Sequence, residues 1–173
     1  MNLVYRAARP ARSAFVGAGS AGAQSVLVGR VVGVHDGDTI TVLSADQVQH
    51  KIRLAGIDAP ELGQAWGKNA RQTLSGLVFG HQVEVVTSKR DRYQREVGKV
   101  LRAGTDINLA VLDAGMAWWY REYAKEQAPG DRAVYSRAEA NAARDQRGLW
   151  ADRDPVPPWE WRRAKRHEST RPR

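Results

Sequence analysis

The 173-residue chain contains no cysteine. Disulfides and thiolate-held metals are therefore excluded, and any bound metal must rely on oxygen or imidazole donors. Long apolar runs are missing too. No stretch of about 18 apolar residues occurs, so no membrane-spanning helix is expected. The net charge of +8 is basic, yet the middle of the chain lacks an excess of either sign. Residues 26–160 hold 18 basic and 18 acidic side chains. Residues 1–25 carry three arginines and no acid, and residues 161–173 carry six Lys or Arg against one acid. Basicity that commonly signals nucleic-acid binding thus belongs first to the tails. Inside the central stretch, any such binding must come from local arrangement.

The length suits one domain with short tails. Residues 1–25 read either as a signal peptide, with arginines before a weakly apolar Ala/Gly segment, or as a disordered basic arm. Residues 26–151 read as the folded domain. Residues 152–173 form a Pro- and Trp-containing basic tail. Its "DPVPPWEWRRAKR" reads as an extended Pro-rich segment with a disordered end, or as an electrostatic arm for a nucleic-acid backbone.

Between the tails, "SVLVGRVVGV", "TITVL", "VQHKIRLAGI", "HQVEVVTS" and "EVGKVLRAG" read as strands, the first interrupted at Gly33 by a bulge. "QAWGKNARQTLSGLVF" places Trp66, Leu74, Leu77 and Val78 at helical spacing. "TDINLAVLDAG" reads as a short helix capped by Thr105 or Asp106 and ended by Gly115. "GDRAVYSRAEANAARDQRGLW" reads as a third helix, with Gly148 just past its end. Trp118 and Trp119 read as core residues. The pattern predicts an α+β domain: a five-stranded β-barrel of the OB-fold type with three helices.

Three clusters could carry chemistry. In "VHDGDTI", an Asp-Gly turn explains Asp36 and Gly37, but Asp38 is a surplus carboxylate. In "IRLAGIDAPE", Arg53 points opposite to Ile52 and Leu54 along a strand, while Asp58 and Glu61 leave at its end around Pro60. In "SKRDRYQR", Lys89, Arg90, Arg92 and Arg95 surround Tyr93, a mix suited to phosphate and base contact, with Asp91 placed to brace an arginine. Asp38 and Asp58 supply hard oxygen donors, which suit Ca²⁺, Mg²⁺ or Mn²⁺. Glu61 could orient or deprotonate a water, and Arg53 and Arg95 could clamp a phosphoryl group. Metal, activated water and cationic clamp are the parts for phosphodiester hydrolysis.

The ordered set "DGDT", "IRLAGIDAPE", "DRYQR", "NLAVLDAGMA" and "GLW", spread over residues 28–150, resembles the staphylococcal nuclease (thermonuclease) family. The resemblance implies a Ca²⁺-dependent phosphodiesterase that cuts single-stranded DNA and RNA with little sequence preference and leaves 3′-phosphates. By motif, Asp38 and Asp58 match the calcium-binding aspartates, and Ala59 keeps the backbone carbonyl that joins them. Glu61 matches the general base or water-orienter. Arg53 and Arg95 match the phosphate-binding arginines, and Arg92 and Tyr93 match positions at a terminal phosphate. Arg121 and Tyr123 fall where the family's type member has two substrate-contacting tyrosines, so Arg121 departs from the pattern. Gln94 departs too, replacing a frequent glycine. The implied protein is a monomer without a membrane partner. The alternative is an OB-type module that binds single strands without cutting them.

Overall fold

The structure, a computed structural model, describes residues 25–169. The signal-or-arm reading of residues 1–25 falls, Ser25 apart, outside the described residues. Five long strands make the scaffold: β1 (Ser25–Val34), β2 (Thr39–Ser44), β3 (Gln49–Leu54), β5 (Gln82–Arg90) and β6 (Glu96–Arg102). Neighbours in the order β3-β2-β1-β5-β6 pair antiparallel, and a parallel pairing of β3 with β6 closes the ring. Alternation dictates the interior. Val31, Ile40, Val42, Ile52, Leu54, Val83, Val85 and Val100 are essentially fully buried, because period-2 side chains of a closed sheet share one inner face. The register of β1 on β2 shifts between Val31 and Gly33, which is the bulge that the sequence indicates.

Short elements complete the domain. β4 (Ile57–Asp58) pairs with β8 (Trp118–Trp119), setting Asp58 opposite Trp118. β7 (Thr105–Asp106) folds back and pairs antiparallel with the end of β6. Helix α1 (Gly67–Val78) buries Ala70, Leu74 and Val78 in one stripe. Helix α2 (Ile107–Asp113) starts at Asp106, whose carboxylate accepts from the Leu109 amide at 3.0 Å. Helix α3 (Pro129–Arg144) lies against α2. It stops three residues earlier than the sequence suggests: the left-handed residue after it is Gln146, and Gly148 instead opens a 3-10 turn over Gly148–Ala151.

A fourth helix, α4 (Pro158–Ser169), corrects the extended and disordered reading of the C-terminal tail. Proline is tolerated at a first helical position, where its missing N–H would have no partner anyway. The segment leading into α4 is tied down: Trp66 Nε1 donates to Asp152 at 2.8 Å, and the Gln64 amide donates to the Val156 carbonyl at 2.5 Å. Among the described residues no helix is long and apolar enough to cross a membrane.

Candidate active site

Two backbone approaches bring the carboxylates together. Gly37 has no unusual φ; it is needed because a Cβ there would lie 2.6 Å from the Cβ atoms of both Ala59 and Ala70. The glycine of "DGD" therefore lets the hairpin press against the loop after β4, beyond any turn preference. Asp36 Oδ1 accepts from the Asp38 amide at 3.0 Å, the role of a turn residue. Gly67 does similar work under Glu61: a Cβ there would sit 1.9 Å from the Glu61 carbonyl oxygen.

Asp38 and Asp58 converge on one guanidinium. Arg53 reaches Asp38 Oδ2 at 3.0 Å and Asp58 Oδ1 at 2.9 Å. The same side chain donates to the carbonyls of Leu54 and Ile57 at 3.0 and 2.9 Å, which fixes its orientation. Asp38 also accepts from the Ala59 amide at 2.7 Å and from Thr39 Oγ1 at 3.1 Å. Both aspartates are buried, at 5% and 1% exposure. Burial pushes the Asp38 carboxyl up to about 7; Arg53 opposes this, and the charges of Asp36 and Asp58 add to it. The site thus holds carboxylates at an energetic cost that a fixed positive charge would relieve.

Thr39 links this centre to the basic loop, since its hydroxyl lies 3.4 Å from Arg95 Nη1. Asp91 braces that loop. It accepts from Arg95 Nε at 2.7 Å and from the Tyr93 and Arg95 amides. Despite partial burial, the hydrogen bonds from Arg95 and these amides hold the Asp91 carboxyl below its usual range. Arg92 and Arg95 lie 4.8 and 5.4 Å from the Tyr93 ring centre, so tyrosine and guanidinium groups form one surface. Tyr123 meets Tyr120 edge-on at 4.8 Å and carries Lys89 over its ring.

These groups line one open cleft of about 1160 Å³. Asp38, Arg53, Asp58, Ala59, Glu61, Arg92, Tyr93, Arg95 and Tyr123 all border it. Arg121 does not. It turns away to pair with Glu139 on α3 and lies 5.1 Å over Trp119.

The sequence reading missed one wall. Tyr120, Trp159, Arg162, Arg163 and Arg166 also border the cleft. Tyr120 and Trp159 stack in parallel, 5.9 Å apart. Arg162 Nη2 meets Asp58 Oδ2 at 2.8 Å, and Arg162 Nη1 meets Glu61 Oε1 at 2.8 Å. Against the opposing effect of its partial burial, these carboxylates hold Arg162 protonated, above the usual arginine range. The signal was the spacing 159, 162, 163, 166, which is one face of a helix. The prolines ahead of that face favour an extended chain, which hides it.

The donor chemistry suits a hard cation. Asp58 and Glu61 already hold a positive group between them, and every available donor is oxygen. Among the described residues, no group of three or more His, Cys, Asp or Glu side chains is gathered to hold a metal by itself. The side chains of Asp38 and Asp58, which share Arg53, therefore fit an ion that completes its shell with backbone carbonyl, water and phosphate oxygens.

Comparison with known proteins gives the family. Residues 51–152 match the family described as "Staphylococcal nuclease homologue". The chain belongs to the staphylococcal nuclease family. It is 44% identical over 148 residues to a micrococcal nuclease of Shigella flexneri, covering 80% of this chain and 82% of the relative. It is 41% identical over 137 residues to an uncharacterized endonuclease of Haemophilus influenzae, covering 79% and 74%. A staphylococcal-like nuclease of Arabidopsis thaliana is 39% identical over 116 residues, 67% of this chain and 34% of the plant protein. The protein is accordingly a nuclease, a hydrolase of phosphodiester bonds. Asp38 precedes the matched segment and α4 follows it, so the fold itself brings both to the cleft.

Proposed function

We propose that this nuclease is Ca²⁺-dependent and hydrolyses single strands of DNA and RNA with little sequence preference, leaving 3′-phosphates. The observation that carries the reading is the shared grip of Arg53 on Asp38 and Asp58 at one side of the cleft, with Glu61 beside it. Asp38, Asp58 and the Ala59 carbonyl would hold the ion, which supplies Lewis-acid charge to the scissile phosphate when bound.

The chain's own groups do the rest. Glu61 accepts the proton of the attacking water, a role that needs a carboxylate open to the cleft, and Glu61 is about one-third exposed. Arg53, fixed by two carbonyls, takes up the negative charge that grows on phosphorus. Arg95 does the same from the opposite side, held by Asp91 through Nε so that its other edge stays turned to substrate. Tyr93, Arg92 and Tyr123 grip flanking phosphates and bases by charge and stacking, which every sequence offers.

Heat-denatured DNA incubated with the protein and Ca²⁺ should be degraded, and excess chelator should stop the reaction. Product 3′ ends should accept an added nucleotide only after 3′-phosphatase treatment, while the 5′-hydroxyl ends should accept a phosphate directly. Glu61→Gln should abolish turnover and leave the fold intact. Degradation that persists in chelator would overturn the calcium assignment.

A further inference from the structure

The contact of Arg162 with the acidic centre is unexplained by any of these roles. Arg162 comes from α4, 104 residues from Asp58 and 101 from Glu61. It forms three hydrogen bonds to the two carboxylates, at 2.8, 2.8 and 3.3 Å. Asp58 is only 1% exposed and already serves Arg53. The second guanidinium therefore sits on the oxygens that a cation needs, and on the carboxylate that must accept a proton.

We propose that Arg162 occupies the cation's place on Asp58 and covers the base Glu61 in the resting protein, and passes to a substrate phosphate once calcium is seated. The inference rests on the calcium reading above. Charge supports the exclusion. With Asp38 ionised, Asp38, Asp58 and Glu61 carry three negative charges, against two positive ones on Arg53 and Arg162. A divalent ion entering beside Arg162 would reverse the sign of the cluster and set two cations on the same buried oxygens, where little water screens them. Departure of the guanidinium leaves the cluster balanced by Arg53 and the ion.

Geometry supports the hand-over. Helix α4 does not have to leave. It is pinned at its start by buried Pro158, by Trp159 on Tyr120 and Trp118, and by the tethers from Gln64 and Trp66. A long arginine on that fixed helix can change rotamer and stay in the same cleft. Arg163 and Arg166 border the cleft from the same helix, so the released guanidinium joins a basic face where a polyanion would lie. While Arg162 holds Glu61 Oε1, that oxygen is engaged and its charge is partly offset. Calcium entry would therefore free the base and supply a further phosphate-binding arginine in one step.

The test uses the full chain and calorimetry. Calcium binding is measured without substrate for the parent protein, Arg162→Gln and Arg163→Gln. Binding of a nucleoside 3′,5′-bisphosphate, which offers two phosphates and no internucleotide bond to cut, is then measured in saturating Ca²⁺. Arg162→Gln should bind calcium about tenfold tighter and the bisphosphate about tenfold more weakly, the size of one charge-assisted hydrogen bond. Arg163→Gln, which does not touch the carboxylates, should keep parental calcium affinity, and circular dichroism should show both variants folded. Parental or weaker calcium affinity in a folded Arg162→Gln would make Arg162 a strut for α4 and overturn the proposal. So would parental bisphosphate affinity. Absence of calcium binding in the parent protein would instead overturn the calcium reading, and this inference with it.

Discussion

Asp38 Oδ2 accepts a hydrogen bond from the Ala59 amide at 2.7 Å, and this contact joins the β1–β2 hairpin to the loop after β4. It leaves Asp38 buried and ionised against its preference, with its carboxyl pushed up to about 7 by burial. A folded carboxyl that titrates above its ordinary value binds its proton more readily than the unfolded chain does. Stability of the metal-free protein should therefore fall as pH rises from about 4 to about 7. Asp38→Asn should melt at a higher temperature than the parent in chelator at pH 8, with the difference shrinking at pH 5. It should also lose calcium binding. A melting difference that ignores pH would show that the charge of Asp38 is not what costs stability.

Arg53 and Arg95 differ in what they hold. Arg53→Ala leaves Asp38 and Asp58 buried without their shared partner, a loss of about 3–5 kcal/mol for a broken buried pair. Added calcium should restore part of that stability. Arg95→Ala, at a partly exposed site, should change stability less but cost about 3–4 kcal/mol of transition-state stabilisation. Thermal melts with and without Ca²⁺, alongside kcat/KM, separate the two outcomes.

Gly37→Ala forces a methyl group against Ala59 and Ala70. Overpacking of this kind costs about 1–3 kcal/mol. Because the same contact sets Asp38 beside Asp58, calcium affinity should fall with stability. An unchanged melting temperature would mean that the hairpin moves aside freely.

Tyr123 and Arg121 should behave oppositely. Tyr123→Ala should weaken single-strand binding by about 1–3 kcal/mol per stacked base lost. Arg121→Ala should leave that binding intact and destabilise the fold, since Glu139 is 5% exposed and would lose its cationic partner. Oligonucleotide titrations and melting curves on both variants decide this.

The barrel and most of the site were legible because they rest on local rules. Period-2 alternation set Ile52 and Leu54 inward and Arg53 outward. The surplus carboxylate at Asp38 and the acids around Pro60 stood out against what a turn requires. Arg121 misled because spacing counts residues without their direction. The 3-10 turn Arg121–Glu126 aims the side chain at α3, which no local pattern reports. Arg162 was invisible for a related reason. Its partners lie a hundred residues away, and two prolines and two tryptophans disguise the start of a helix that tertiary contacts stabilise.

The parallel stack of Trp159 on Tyr120, with Trp118 and Trp150 behind it, has an optical consequence. An indole at the mouth of the cleft, on the helix that carries Arg162, sits where arriving ions and bases alter its surroundings. Of the six tryptophans, Trp159 is the one that borders the cleft, so the emission change lost in Trp159→Phe should report cleft occupancy in real time, without a dye and without a single bond being cut.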